Sequence, residues 1–397
     1  MILSDSRLVR GFALLEGFVG RTVLTRPDGW SDPFLVLDAQ SYEGVIVIPP
    51  RINSELLLVG SLPADSTDEA LRAGGEIFGD LVFALPDGET GPRALWMAYE
   101  YATLLEPNPA IEITNKLDHA PRHAEERPIL AIREGTDTVH FESWPRIDDA
   151  IESYAAFKSL RDEGVIPSSV RFQVCLPFPT NVFSRFTKNF SHDYALAAQG
   201  FEELFEREIK RLTDAIPTGD LAIQLDVCWE VLDIEGVIDW TDGDAWDRFA
   251  GPVTRLAPMI PEDVLVGYHF CYGTSPSWPM FEAFDMTLPV KMSNYAAENS
   301  GRIVDWLHLS GPKDLRSQDR RFYEPLADLK APDARVFLGI GLPVDGIEGL
   351  RRRHACASEF LDDFGVANYC GFGRQPGQDG METMREHADI VKALASA

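Results

Sequence analysis

The chain has 397 residues, with 36 Lys and Arg against 63 Asp and Glu, a formal net charge of −27. At 45% hydrophobic and 25% charged residues, it is neither a disordered chain, a collagen nor a disulfide-rich mini-protein. A pI near 4.6 argues against a nucleic-acid partner and against an anionic membrane surface, because such a chain displaces no counterions from either.

The first residues, MILSDSRLVRGFALLEGFVG, show no signal-peptide cleavage pattern. No apolar run reaches the ~20 residues needed to cross a bilayer, so a cytoplasmic enzyme is expected. Residues 1–54 contain strand-like FLVLDAQ and GVIVIPP and read as a small N-terminal appendage, suited to forming a homodimer or a lid. From residue 55 to 397, short apolar runs alternate with amphipathic stretches. The runs are 55–63, 80–89, 170–177, 221–230, 264–273, 303–312, 335–343 and 365–374. They are rich in Val, Leu, Ile and Phe and end in Gly, Pro or charged residues, as buried parallel strands do.

Between the runs lie helical patterns at 192–216, 347–364 and 381–396. Eight strands alternating with helices predict an α/β protein with a (β/α)8 TIM barrel. A doubly wound sheet is disfavoured, since no GxGxxG opens a helix after a strand. Residues 106–168 read as an insertion after strand 2, with a hairpin in ILAIREGTDTVHFESW and a helix from about Asp148.

In such a barrel the C-terminal strand ends form the active face. Ser61, Asp87, Glu89, Asp226, Cys228, His269, Cys271, His308 and Cys370 all fall there. His269 and Cys271 sit two apart on the fifth run, so they point to the same side and can meet one ion. With Cys370 they form a three-ligand N/S set with an open fourth position, as a catalytic zinc requires. Five widely spaced cysteines (Cys175, Cys228, Cys271, Cys356, Cys370) suit free thiols or metal ligands better than disulfides. Cys175 and Cys228 either line the cavity or pack. Arg93 and Arg374, just past strands 2 and 8, could grip a carboxylate or sulfonate. Phe178, Phe183 and Phe186 could form an apolar wall for the substrate or cap the core.

The motifs VGSLP, LPDGETGPR, FQVCLPFPT, QLDVCWE, HFCYG and NYCGFGR resemble, in order and position, the catalytic barrel of the cobalamin-independent methionine synthases. The likeness is greater to their single-barrel relatives in the uroporphyrinogen decarboxylase/methionine synthase superfamily, over about residues 55–396. The resemblance implies a Zn2+ held by His269, Cys271 and Cys370 that binds a thiol and activates it as a thiolate. It also implies that Asp226 and Glu89 hold the acceptor's amino group.

At the position of the family's zinc-binding Glu, the end of strand 6 carries His308, with Glu298 as the alternative. Glu298, in AAENSGR, falls on the preceding helix, so His308 is expected as the fourth zinc-site residue. The family's Asp-Glu-Pro after strand 4 reads Asp226-Val227-Cys228, and strand 7 ends in Gly339-Ile340-Gly341-Leu342-Pro343 without the family's His. No Trp stands between Pro177 and Phe183 to stack a folate. The expected activity is zinc-dependent transfer of a methyl or other alkyl group to a small-molecule thiol. Asp226, Glu89 and His308 are the expected catalytic residues. Ser61, Glu89, Arg93, Asp226, Phe178 and Arg374 are expected to bind substrate. The alternatives are thiol addition to an epoxide at the same zinc, a metal-free decarboxylase or lyase, and a non-catalytic binding barrel.

Overall fold

A computed structural model describes residues 52, 54–114, 129–187, 189–274, 280–311, 319–341, 345–374 and 380–395, together with three short strands near the N-terminus. The chain divides into two compact units, Met1–Ile48 and Pro49–Ala397. In the first, strands Ala13–Leu15, Arg21–Thr25 and Leu37–Asp38 pair antiparallel in chain order. The strand-like GVIVIPP lies outside the described residues.

The second unit is the (β/α)8 barrel. Its strands are β1 (Leu56–Leu57), β2 (Ala84–Pro86), β3 (Arg171–Pro177), β4 (Leu221–Val227), β5 (Leu265–Phe270), β6 (Trp306–Ser310), β7 (Arg335–Gly339) and β8 (Gly365–Ala367). Neighbours run parallel in the order β1-β8-β7-β6-β5-β4-β3-β2, and a parallel bridge from Leu56 to Val82 nearly closes the circle. The strands are shorter than the apolar runs, because each run also spans the turn that carries polar residues to the rim.

Side chains alternate along each strand. On β4, Ile223, Leu225 and Val227 face the helical layer, and Ala222 faces the barrel interior. On β5, Val266, Tyr268 and Phe270 face the helices while Leu265 faces inward. The interior floor is Leu57, Val59, Ala84, Ala222, Leu265, Trp306, Phe337 and Ala367. Gly267 belongs to this layer because a Cβ there would lie 2.0 Å from the Trp306 ring.

The outer ring follows from amphipathic helices. Helix α1 (Thr67–Phe78) is capped by Ser66, whose hydroxyl accepts from the Glu69 amide, with Asp68 and Glu69 in its first turn. Both features favour a helix N-terminus. Helix α2 (Pro145–Asp162) packs against α1 and α3 (Phe190–Ala215). Helix α3 buries Phe201, Leu204, Phe205, Ile209 and Leu212 along one face.

One local expectation fails. The two-stranded ribbon after β2 pairs Ile111–Ile113 with Leu130–Ile132, so 129–144 does not fold back on itself. Residues Val139, Phe141 and Trp144 are instead buried. Arg207 of α3 donates to the Phe141 and Glu142 carbonyls, taking acceptors that a hairpin partner would use. The helix then starts at Pro145, whose fixed φ suits a first turn.

Candidate metal centre and adjoining cavity

Strand register builds the site. Asp226, His269 and His308 share one level across β4, β5 and β6, through the pairs His269–Asp226 and His269–His308. Two residues above His269, Cys271 continues the ladder by donating its amide to the Val227 carbonyl at 3.0 Å. Cys370 arrives from the turn after β8. The ligand atoms of His269, Cys271 and Cys370 lie within 4.8 Å of one another. His269 and Cys271 are buried and Cys370 is partly buried.

The imidazole pair is ordered by its hydrogen bonds. His308 Nε2 lies 3.0 Å from the Asn368 carbonyl, which can only accept, so this nitrogen carries the proton. His308 Nδ1 is then a lone pair, and it lies 2.6 Å from His269 Nδ1, which must donate. His269 Nε2 is left as the lone pair able to meet a cation. Burial pushes the His308 pKa down to about 3. Burial and then His308 push His269 down as well. Both rings are therefore neutral, the form that ligates metals. The Cys271 thiol is pushed above the usual thiol range, first by the neighbouring Cys228 thiol. One neutral imidazole and two thiols in a buried cluster fit a borderline-soft cation such as zinc.

A second cluster adjoins it. Ligand atoms of Glu89, Cys175 and Asp226 also lie within 4.8 Å of one another. Gln224 donates to Asp226 Oδ1 at 2.8 Å and to the Val59 carbonyl at 2.6 Å. Gln173 donates to the Leu58 and Val59 carbonyls. The Cys175 thiol is raised by burial and then by the charges of Asp226 and Glu89, so it stays protonated. Glu89 is held at φ +50, directly after Gly88 at φ +87. A side chain in this left-handed region is strained by about 1 kcal/mol or more, a cost that clusters at ligand sites.

The predicted site residues separate in space. His269, Cys271 and Cys370 converge, and His308 stands behind His269. Glu298 is exposed on the outer helix Thr287–Asn299. Asp226 and Glu89 converge in the second cluster. Ser61 is buried beneath the turn after β8: its Oγ lies 2.2 Å from where a Cβ on Gly371 would stand. Arg93 lines the same cleft as Glu89 and Cys175, but it is paired with Asp87 and donates to Thr67 Oγ1 at 3.2 Å. Phe178 is not brought to the site. It is fully buried, with its ring against Tyr268 and Phe249, so it packs the helical layer. The side chain of Arg374 lies outside the described residues.

Sequence reasoning missed Arg146, because it opens a helix inside the segment read as an insertion. It lines the cleft and is buried and paired with Glu100. It also sits 3.7 Å from Glu89 Oε1 and donates to the Cys175 carbonyl at 3.3 Å. Its Nη2 has no hydrogen-bond partner among the described residues.

The fold and site thus define a (β/α)8 barrel with an imidazole–thiol cluster and, beside it, a cleft where Asp87 and Glu89 meet Arg93 and Arg146. No protein-family model matches the chain, and no curated protein matches it. Among solved structures, it is similar to a structural-genomics protein from Listeria monocytogenes assigned as a vitamin-B12-independent methionine synthase. That match has 16% identity and a TM-score of 0.50, and covers 83% of this chain and 86% of the other. It is also similar to a B12-independent methionine synthase from Shewanella sp. W3-18-1 in complex with selenomethionine. There the identity is 16% and the TM-score 0.49, with coverage of 86% and 98%. At this identity the likeness to the Listeria protein is one of fold, the barrel that the sequence motifs imply.

Proposed function

We propose that the protein is a zinc-dependent transferase that moves a methyl or other alkyl group onto the sulfur of a small thiol. The observation that carries this reading is the convergence of His269, Cys271 and Cys370 beside the Glu89–Asp226 pair. His269 Nε2 and the sulfurs of Cys271 and Cys370 would hold the metal. A zinc ion there would lower the pKa of a bound thiol and present it as a thiolate.

The protein's own groups do the rest. His308 fixes the proton of His269 on Nδ1 and thereby aims Nε2 at the ion. Asp226 and Glu89 hold a cationic group of the thiol acceptor, and the Arg146 guanidinium stands 3.7 Å from Glu89 Oε1. The surrounding wall of buried side chains limits water around the thiolate, which strengthens these charge interactions.

Elemental analysis of protein purified without chelator or metal-affinity tag, beside Cys370→Ser, tests the metal. About one zinc per chain, lost together with activity in the variant, is expected. Full activity in metal-free Cys370→Ser would sink the scheme. Trials of thiols with methyl donors or with epoxides then identify the electrophile.

A further inference from the structure

We propose that Gln224 is a positioning residue that aims the Asp226 carboxylate at Glu89 and so sets a preference for amine-bearing thiols. The inference rests on the reading of Asp226 and Glu89 as the pair that holds the acceptor's cationic group. Gln224 and Asp226 lie two apart on β4, so their side chains share the interior face. The Gln224 amide nitrogen donates to Asp226 Oδ1 at 2.8 Å and to the Val59 carbonyl at 2.6 Å. Both partners are accepting oxygens, which fixes the orientation of the amide and commits both of its hydrogens. The rung neighbours of Gln224 are Cys175 on β3 and Gly267 on β5. The Trp306 ring lies where a Gly267 side chain would stand, so the amide is walled on that side as well.

The need for such a group follows from charge. Glu89 and Asp226 bring carboxylate oxygens within 4.8 Å of each other, and like charges this close repel. Glu89 is buried, whereas Asp226 is only partly so, so repulsion turns Asp226 toward water whenever no cation lies between the two. The Gln224 N–H holds the carboxylate in place before substrate arrives, and a carboxylate already in place binds an ammonium without reorganising. The same amide leaves its own Oε1 fully buried, with no hydrogen-bond partner among the described residues. A buried acceptor left unmet destabilises a fold. Gln224 therefore serves the site through its nitrogen and weakens the barrel through its oxygen.

The test measures binding of 2-aminoethanethiol and 3-aminopropane-1-thiol, each against its hydroxyl analogue, to the zinc-loaded full chain by calorimetry. Wild type should prefer the amines. Gln224→Met, close in volume, should lose about tenfold of that preference, the size of one lost charge-assisted hydrogen bond. The hydroxyl thiols should bind within twofold of wild type. The Tm of Gln224→Met should equal or exceed that of wild type, because the Val59 carbonyl keeps the Gln173 amide at 3.2 Å and the Cys175 thiol at 3.3 Å as donors. In an Asp226→Asn background, Gln224→Met should add no further loss. Crystallography of the wild type with and without the aminothiol needs no variant to fold: Asp226 should hold one rotamer in both. An unchanged preference in Gln224→Met, or an equal loss for both kinds of thiol, would overturn the inference while the cation-holding pair stands. So would a further loss on top of Asp226→Asn, or an Asp226 turned to solvent in the empty wild type. A wild type that binds neither kind of thiol, or shows no preference for the amine, would overturn both.

Discussion

His308→Phe keeps an aromatic ring of similar size but removes both hydrogen bonds that set the imidazole pair. The variant leaves His269 Nδ1 without its 2.6 Å acceptor and the Asn368 carbonyl without its 3.0 Å donor. Each buried group left unsatisfied costs about 1–3 kcal/mol, so the metal-free protein should lose about 2–6 kcal/mol. For a unit of this size that is a fall in Tm of roughly 3–8 °C. Metal binding suffers separately. With no partner to hold the proton on Nδ1, His269 turns and shifts tautomer freely, and loss of such an orienting group typically costs about 10–100-fold in metal affinity.

The assay is competition for zinc against a chromophoric chelator, alongside differential scanning calorimetry of the metal-free form. His308→Gln should recover part of the affinity, because its amide oxygen can accept from His269. Affinity within twofold of wild type in His308→Phe would refute the positioning role. Complete loss of zinc from both variants would refute it differently, by making His308 itself a ligand.

Three further outcomes follow from the surroundings. Glu100→Ala strands the buried Arg146 guanidinium and the Trp144 indole N–H, which Glu100 accepts at 2.9 Å. The cost should be about 3–5 kcal/mol in urea unfolding. Glu100→Ala/Arg146→Met should recover much of it, and a double variant as unstable as the single would contradict the buried-pair account.

Burial raises the Glu230 carboxyl to about 8 from an ordinary 4.5. Its protonated form is thus favoured by folding. That contribution is fully present below about pH 4.5 and lost as pH rises toward 8. Glu230→Gln should flatten this part of the stability profile, so a wild-type-minus-variant Tm difference that does not change between pH 5 and 8.5 would count against it. Gly371→Ala would set a Cβ 2.2 Å from Ser61 Oγ and 2.6 Å from its amide, whereas a Cβ on Gly219 meets nothing within 4 Å. The first should displace Cys370 and weaken zinc binding about tenfold, an effect of the size that a misplaced ligand produces. Gly219→Ala should leave zinc binding unchanged, and equal zinc affinities for the two variants would show that the turn does not position Cys370.

What was legible in the sequence is what strand geometry alone decides. The barrel emerges from eight apolar runs because each buried parallel strand must be apolar on its helical face and ends where polarity begins. His269 and Cys271 could be paired from spacing, since a period of two is a property of the strand itself. Other features depended on which strands lie side by side. Cys175 read equally well as a packing or a cavity residue until β3 was set against β4. His308 read as a further ligand because its strand level was right. Its contacts with His269 Nδ1 and with the Asn368 carbonyl could be found only once β5, β6 and the turn after β8 were set side by side. Arg146 left no local signal at all: a cation in the first turn of a helix looks like solvent-facing charge. It became a cleft residue because that turn packs over β3, where Glu100 and Glu89 offset the cost of burying it. The features least legible in the sequence are thus those set by neighbours far along the chain, as the buried cation Arg146 beside Glu89 shows.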